Sequence, residues 1–173
     1  EATGAGAIFG TTGGVMEAAL RAAYELMTGE ELKKVEFEQV RGEKGIKKAT
    51  VQIGDKEVRV AVAHGLGNAK KIMEEIKSGK ADFQFAEIMA CPGGCIMGGG
   101  QPIKNSKIRA SVDVRSKRAA AMYSIDERST IRKSQDNPIL KAIYKEYIGQ
   151  PGEHRAHELL HTHYEKKEKY NIF

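Results

Sequence analysis

The first strong hydrophobic pattern along the chain has the period of a helix. In residues 15–27 the charged side chains Glu17, Arg21 and Glu25 recur every four residues, and most positions between them are apolar. Side chains four residues apart share one face of a helix, so this segment predicts a mostly buried helix with one polar stripe. Gly29 is placed to end this helix, because glycine adopts the left-handed conformation of a C-cap without strain.

Later segments have the patterns of β-strands. Residues 35–40 alternate between apolar and polar side chains, which predicts a strand with one face in water. Residues 49–53 and 58–63 flank the pair Gly54-Asp55, and Gly-Asp between apolar runs is typical of a type II′ hairpin turn. The second arm becomes continuously apolar, so we expect it to lie inside a sheet that is covered on both faces.

The rest of the pattern adds one strand and three helices. Asn68 is predicted to cap a helix that ends at Gly79, and the mostly apolar residues 83–90 predict a strand. Residues 137–149 and 152–161 are predicted helices, and the Asn-Pro pair that opens the first of them is a typical helix start. These elements predict an α/β fold, with a small, mostly parallel sheet flanked by helices, a β-hairpin and a helical C-terminal tail.

Length and charge narrow the function classes. The chain has 173 residues, a net charge of +5 and a pI of about 9.1. No apolar run reaches the roughly 18 residues of a membrane span, and no secretion signal is seen, so we expect a cytoplasmic protein without a membrane partner. The basic residues are scattered among 23 acidic ones without interleaved aromatics, which argues against nucleic-acid binding. The positive balance could steer an acidic partner such as a ferredoxin by its long-range field, but scattered surface charge is the simpler interpretation.

Both cysteines of the chain lie in one glycine-rich segment, residues 87–102. Cys91 and Cys95 are four positions apart, and five glycines surround them: Gly93, Gly94, Gly98, Gly99 and Gly100. Such a loop exposes many backbone N–H groups toward sulfur, which suits an iron–sulfur centre. Zinc and thioredoxin motifs usually have only two residues between their cysteines, so the spacing counts against both. A pair of inert thiols or a disulfide in a plain turn would not explain so many glycines.

The residues around the two cysteines are a more specific signal than the spacing of the cysteines. Residues 87–102 read Glu-x-Met-Ala-Cys-Pro-Gly-Gly-Cys-x-x-Gly-Gly-Gly-Gln-Pro, which resembles the last of the three cysteine signatures of iron-only (FeFe) hydrogenases. Residues 5–21 resemble the segment that precedes a helix in that family, and residues 132–138 and 156–164 resemble its C-terminal tail. The resemblance therefore covers nearly the whole chain in order.

The two earlier signatures of that family, of the Thr-Ser-Cys-Cys-Pro and Met-Pro-Cys types, do not occur in this sequence. The resemblance thus implies the C-terminal half of a catalytic domain, and the start at Glu1 without a methionine fits a fragment. Residues 1–125 would be the C-terminal lobe and residues 126–173 a tail like the family's small subunit. The missing N-terminal half would be the main partner. Because its docking face would be exposed here, we also expect self-association into a homo-oligomer.

The resemblance also implies roles for individual residues. Cys91 would ligate a 4Fe-4S cubane, and Cys95 would bridge the cubane to the diiron subsite of the H cluster. Met89 would lie beside the carbon monoxide ligands of the diiron subsite, although by its sequence alone it would be core filler. Phe9 and Gly10 would pack against the cluster. The implied reaction is the reversible reduction of protons to dihydrogen with a low-potential carrier such as ferredoxin.

Other interpretations stay open at this point. A hydrogenase-like iron–sulfur protein with an assembly or sensory role has a similar loop, and a cysteine pair can act as a redox thiol switch. The turn after Phe9 could present backbone N–H groups to an anion. His157, His161 and His163 could bind a metal, but structural hydrogen bonds are the simpler interpretation. Glu87 lies in an apolar run and needs a partner, which predicts a loop anchor.

Overall fold

The computed structural model describes residues 2–42 and 45–166, and the chain divides into two compact units after Asn137. The helices are α1 (Gly4–Ile8), α2 (Gly14–Thr28), α3 (Leu66–Lys77), α4 (Ser106–Ser111), α5 (Val114–Arg128), α6 (Pro138–Ile143) and α7 (His154–Leu160). The strands are β1 (Ile46–Ile53), β2 (Lys56–His64) and β3 (Phe85–Met89). Single 3₁₀ turns lie at Glu38–Val40, Cys95–Met97 and Ser134–Asp136.

The sheet of the first unit has the strand order β1-β2-β3. β1 and β2 are antiparallel, with Ile53 opposite Lys56, and Gly54 between them has a φ of 58°. β2 and β3 are parallel, with Val60 opposite Phe85. The predicted α/β fold and hairpin are therefore confirmed. The sheet is mixed, with one antiparallel and one parallel pair, where a mostly parallel sheet was expected.

β2 is the central strand, and its side chains are buried from Val60 to His64. This confirms that the apolar second arm of the hairpin lies in a sheet covered on both faces. One side of the sheet packs on α2 through the main hydrophobic core, which consists of Met16, Leu20, Leu32, Val35, Phe37, Val40, Val51, Ile53, Val60 and Val62.

The strand predicted over residues 35–40 is wrong. Val35 and Phe37 are buried as their alternation indicated, but the backbone runs into a 3₁₀ turn. Side chains of α2 take the place of a neighbouring strand: Arg21 Nε donates to Val35 O at 2.9 Å, and Phe37 N donates to Glu17 Oε1 at 3.4 Å. The alternation therefore marks burial of the side chains and not a ladder of strand hydrogen bonds.

The predicted helices of the first unit have shifted starts. α2 begins at Gly14 and ends before Gly29, whose φ of 70° confirms it as the C-cap. α3 begins at Leu66 after Gly65, so Asn68 is not its N-cap. Asn68 lies in the first turn, where Nδ2 donates to His64 O at 2.8 Å. The amide side chain therefore links α3 back to the end of β2.

The sequences of three helices of this unit, α1, α4 and α5, have no clear hydrophobic period. α1 lies in the glycine-rich opening segment, and Thr3 caps it by accepting a hydrogen bond from Gly6 N at 3.0 Å. Asp113 caps α5 by accepting from Ser116 N at 3.0 Å. α5 is polar on most faces, and its one fully buried side chain is Asp126. A helix that packs through a charged residue has no apolar stripe to find in the sequence.

The second unit begins at Pro138, the first residue of α6 as predicted. The helix continues as a π-helical turn over Tyr144–Ile148 and is capped by Gly149, which has a φ of 92°. α7 lies within the helix predicted over residues 152–161. In the part of the chain that the structure describes, no helix is long and apolar enough to span a bilayer.

Candidate metal centre

The cysteine loop begins two residues after the C-terminal end of β3. Cys91 and Cys95 are both free thiols, and both are exposed. Between them Gly93 and Gly94 have φ values of 87° and 92°, which residues with a Cβ rarely adopt. Gly94 N donates to Cys91 O at 3.0 Å, so the loop closes into a turn that carries a thiol at each end.

The loop rests on the turn between α1 and α2. Ile96 N donates to Gly10 O at 3.0 Å, and Thr12 N donates to Gly93 O at 3.3 Å. A Cβ added at Gly94 would lie 2.6 Å from Gly10 O, so this close approach of two backbones requires glycine. The structure therefore brings Gly10 directly against the cysteine loop. The contact is made by backbone atoms 86 residues apart in the chain, between Gly10 and Ile96.

Phe9 and Met89 lie at the edges of the same region. Phe9 follows α1 and its side chain is 45% exposed. Met89 is the last residue of β3 and is half-buried, and its carbonyl accepts a hydrogen bond from Gly65 N at 2.8 Å. Both side chains are thus placed by the elements that flank the loop.

The turn before α2 does not offer its N–H groups to an external anion. The five consecutive backbone N–H groups of residues 10–14 donate in turn to Ala7 O, Ile8 O, Gly93 O, Glu87 Oε1 and Thr11 O. Every one of these groups is therefore already used by an acceptor within the protein. The proposal that this turn presents free N–H groups to an anion is wrong, because a carboxylate of the chain itself occupies the start of α2.

That carboxylate belongs to Glu87, the middle residue of β3. Its Oε1 accepts from Gly13 N and its Oε2 from Met16 N, both at 2.7 Å, and its exposure is only 6%. Burial raises the pKa of Glu87 above its usual range, and the two N–H donors offset only part of that rise. Glu87 thus ties β3 to the start of α2 and is the loop anchor that the sequence predicted.

A further contact of the loop comes from α5. Arg118 Nη1 donates to Ile96 O at 2.8 Å, and Arg118 Nη2 donates to Pro102 O at 2.7 Å. Sequence analysis missed this residue. α5 has no hydrophobic period, and nothing in its spacing indicates that one of its several basic side chains faces backbone carbonyls.

The loop also borders a basic cleft with a volume of about 820 Å³. Met97, Gly98 and Pro102 line one side of the cleft, and α4, α5 and the segment before them line the other side. Four cationic side chains contribute to the lining: Lys104, Arg109, Arg115 and Arg118. Anionic groups at the cysteine loop would therefore lie close to positive charge.

The histidines do not form a second centre. The His157 and His161 rings are stacked with centroids 4.2 Å apart, and the His163 ring lies 6.0 Å from that of His157. Among the described residues, no group of three His, Cys, Asp or Glu side chains is arranged to hold a metal ion. His64, a further histidine outside this cluster, is buried at the end of β2.

The chemistry of the loop fits part of an iron–sulfur ligand set. Thiolates are the usual ligands of such clusters, and a 4Fe-4S cubane takes four of them. The chain has two, both exposed. A Cβ added at Gly98 would lie 3.7 Å from Cys91 Sγ, so the glycine lets the backbone pass close to the sulfur. The geometry therefore suits two ligands of a cluster whose remaining ligands come from elsewhere.

Comparison with known proteins assigns the family. Residues 1–99 match the family described as the iron-only hydrogenase large subunit, C-terminal domain, and residues 112–167 match the iron hydrogenase small subunit. The chain belongs to the iron-only hydrogenase family. It is 51% identical over 167 residues to the NADP-reducing hydrogenase subunit HndD of Solidesulfovibrio fructosivorans. The aligned region covers 96% of this chain but only 28% of that relative.

One more distant relative is an iron-sulfur assembly component, whereas two solved hydrogenase structures agree with the family assignment. The cytosolic iron-sulfur assembly component 3 of Mus musculus is 28% identical over 161 residues, which cover 92% of this chain and 32% of that relative. A solved variant of the [FeFe]-hydrogenase HydA1 from Chlamydomonas reinhardtii is similar with a TM-score of 0.65 and 44% identity, covering 90% of this chain and 45% of that one. A second solved [FeFe]-hydrogenase, 45% identical, was studied for oxygen damage to the 2Fe subcluster of its H cluster.

Proposed function

We propose that this chain supplies two thiolate ligands, Cys91 and Cys95, to the H cluster of an iron-only hydrogenase. The complete protein would catalyse the reversible reduction of protons to dihydrogen with a low-potential carrier such as ferredoxin. The observation that carries the proposal is the pair of exposed, free thiols in one glycine loop, which the Gly10 carbonyl and the Arg118 side chain hold by hydrogen bonds to the loop backbone.

The two thiols have different roles in this proposal. Cys91 would hold the 4Fe-4S cubane alone, and Cys95 would hold both the cubane and the diiron subsite. When bound, the cluster supplies the chemistry of proton reduction. The other two cubane ligands come from outside this sequence, which has only two cysteines. The proposed partner is therefore an N-terminal half of the catalytic domain, in agreement with the 28% of the HndD relative that this chain spans.

The remaining residues of the site would hold the cysteine loop in place or cover the cluster. Glu87 holds the start of α2 against β3, so the turn that carries Gly10 keeps its place under the cysteine loop. Met89 and Phe9 lie at the edges of the loop and would face the cluster side of the complete domain. Phe85, 50% exposed, and Ile88, 42% exposed, lie on β3 and would be covered by the partner half. These two side chains lie on opposite faces of the strand, and covering both would keep water away from the cluster.

We also propose that residues 1–125 act as the C-terminal lobe of the catalytic domain and residues 126–173 as its small-subunit-like tail. The match of residues 112–167 to the small-subunit family supports a division in this part of the chain. We also propose a cytoplasmic location, because two cysteines this close together in a glycine-rich loop are a poor structural disulfide and are more simply explained in a reducing compartment.

A second candidate function is that of a non-catalytic hydrogenase-like protein of iron–sulfur assembly. The mouse assembly component supports it, since its similarity extends over 92% of this chain. The identity of 51% to HndD against 28% to the assembly component favours the hydrogenase. Hydrogen evolution by the complete protein distinguishes the two functions directly.

The proposal is tested by exchanging each thiol in the complete protein, followed by anaerobic maturation. Cys91→Ser and Cys95→Ser are expected to lose most hydrogen evolution, because serine is a harder and far less acidic ligand than cysteine. Ile103→Ser is the control, since it places the same polar side chain directly after the cysteine segment, at a residue that is 93% exposed. Unchanged iron content and hydrogen evolution in both cysteine variants would contradict the proposal.

A further inference from the structure

The residue after Cys95 is fixed from two sides. Ile96 N donates to Gly10 O at 3.0 Å, and Ile96 O accepts from Arg118 Nη1 at 2.8 Å. The first bond comes from the turn between α1 and α2, and the second from α5. The Ile96 side chain is also buried, with 6% exposure. Two separate elements thus hold the peptide units beside the second thiol.

The segment after Ile96 has few other attachments. We call residues 96–102 the glycine arm. Inside it Gly98 N donates to Cys95 O at 3.0 Å and Gln101 N donates to Gly98 O at 3.1 Å, and both bonds are local. A Cβ added at Gly99 or Gly100 would meet open space. Glycine has the largest backbone freedom of all residues, so this arm needs a tertiary contact to stay in one conformation.

Arg118 supplies that contact at both ends of the arm. One nitrogen of its guanidinium donates to Ile96 O and the other to Pro102 O, at 2.8 and 2.7 Å. A planar guanidinium has its donors in a fixed fork, so one side chain can hold two carbonyl groups at a set separation. Lysine has no such fork. The two bonds close the glycine arm into a loop whose ends cannot move apart.

α5 is itself held rigidly, which makes the clamp effective. Near its C-terminal end, Asp126 forms a buried ion pair with Arg21 of α2, with Nη1 and Oδ1 2.7 Å apart. One turn before Arg118, Arg115 lies against the cysteine loop, because a Cβ added at Gly93 would be 3.0 Å from Arg115 Cδ. The same part of α5 therefore covers both the turn between the thiols and the arm that follows them.

We propose that Arg118 is a positioning residue that clamps the glycine arm and thereby fixes the Cys95 thiol for its role as a ligand. The clamp stands on the contacts of this chain, whereas its purpose toward a cluster rests on the function proposed above. Arg118 acts through the backbone of Ile96 and Pro102 and does not itself need to touch the cluster.

Hydrogen exchange of the intact chain, followed by mass spectrometry, tests the clamp. In Arg118→Met the backbone N–H groups of Met97, Gly98 and Gln101 are expected to exchange about 10-fold to 100-fold faster, the range expected for losing hydrogen bonds to a charged group. Arg118→Lys keeps the charge without the fork and should recover only part of the protection. Lys117→Met is the matched control, since Lys117 is the exposed neighbour on the same helix.

Peptides from β2 serve as an internal reference for folding. If their exchange is the same in all variants, faster exchange in the glycine arm of Arg118→Met alone supports the clamp. Equal exchange of the arm in Arg118→Met and Lys117→Met overturns it. If β2 also exchanges faster in Arg118→Met, the residue supports the whole fold and the clamp is overturned as a local device.

The clamp and the proposed function can fail separately. Faster exchange of the arm in Arg118→Met, combined with unchanged iron binding in the two cysteine variants, would retain the clamp and reject the cluster. Loss of iron in the cysteine variants without faster exchange in Arg118→Met would retain the cluster and reject the clamp.

Discussion

Replacing Asp126 by Asn should destabilise the first unit more than any other single change of charge on α5. Asp126 is fully buried, and its carboxylate accepts from Arg21 Nη1 at 2.7 Å, Arg21 Nη2 at 2.8 Å and Arg132 Nη2 at 2.6 Å. Arg21 is buried as well and also pairs with Glu17 at 2.9 Å. The carboxylate therefore joins α2, α5 and the segment that follows α5.

The size of the effect follows from what Asn leaves behind. Breaking one partner of a buried ion pair costs about 3–5 kcal/mol, because the other charge stays buried with too little compensation; Arg21 would keep only Glu17, which Arg41 also pairs with. Total stabilities of domains are about 5–15 kcal/mol, so the loss is a large fraction. For a unit of this size we expect the midpoint of thermal unfolding to fall by roughly 6–20 °C.

The comparison is made by thermal and urea unfolding at neutral pH. Burial alone would raise the pKa of Asp126, but hydrogen bonds from Arg21 and Arg132 outweigh it, so the net pKa is lowered. A lowered pKa means that the carboxylate stabilises the fold above the pKa of the unfolded chain and loses this effect as the pH falls through the folded value. At pH 7 the contribution is fully present.

Glu127→Gln is the matched control, since it removes the same charge from the next, exposed residue of α5. It should change the stability by less than about 0.5 kcal/mol. Gly4→Ala is a second perturbation of the same carboxylate, because an added Cβ would overlap Asp126 Oδ1. If Asp126→Asn unfolds within about 1 kcal/mol of Glu127→Gln, the ion cluster does not hold these elements together.

Three further outcomes are expected. Gly94→Ala should displace the cysteine loop, because Gly94 has a φ of 92° and its Cβ would lie 2.6 Å from Gly10 O. The displacement should weaken the bond from Thr12 N to Gly93 O and speed hydrogen exchange at Thr12, and unchanged exchange there would refute the prediction. Burial acts to raise the pKa of Glu25, but hydrogen bonds chiefly from Lys133 lower it to about 2. The wild type should therefore lose stability between pH 4.5 and about 2. In unfolding experiments Glu25→Gln should show a flatter dependence on acid than the wild type. β3 is the edge strand of the described sheet, so Ile88→Lys should reduce self-association in light scattering, and equal association would count against an exposed docking face.

Local patterns predicted those parts of the fold in which burial and backbone conformation coincide. The hairpin follows from Gly54-Asp55 between apolar runs, and α2 follows from a polar stripe within an apolar helix. Residues 35–40 have the burial of a strand, but Arg21 and Glu17 satisfy their backbone from a distance, and local alternation cannot reveal such a partner. α5 stayed unpredicted because its one fully buried side chain is Asp126, a charge held by Arg21 of α2 and by Arg132 just after the helix.

The candidate site divides in the same way. The cysteine loop was evident because its glycines and thiols are adjacent in the chain. Glu87 could be recognised as a buried carboxylate in need of partners, but its donors Gly13 and Met16 lie more than 70 positions away. Arg118 gave no signal, since its acceptors are backbone carbonyls that carry no sequence information. Contacts between backbone and distant side chains need the three-dimensional structure.

The central claim is that Cys95 bridges the two parts of the H cluster while Cys91 ligates the cubane alone. The infrared spectrum of the matured, complete hydrogenase tests it most directly, because the carbon monoxide ligands of the diiron subsite give separate bands. In Cys95→Ser these bands should be lost while iron of the cubane is retained, whereas in Cys91→Ser the signal of the cubane should weaken or change first. A Cys95→Ser hydrogenase with full activity and unshifted carbonyl bands would contradict the claim.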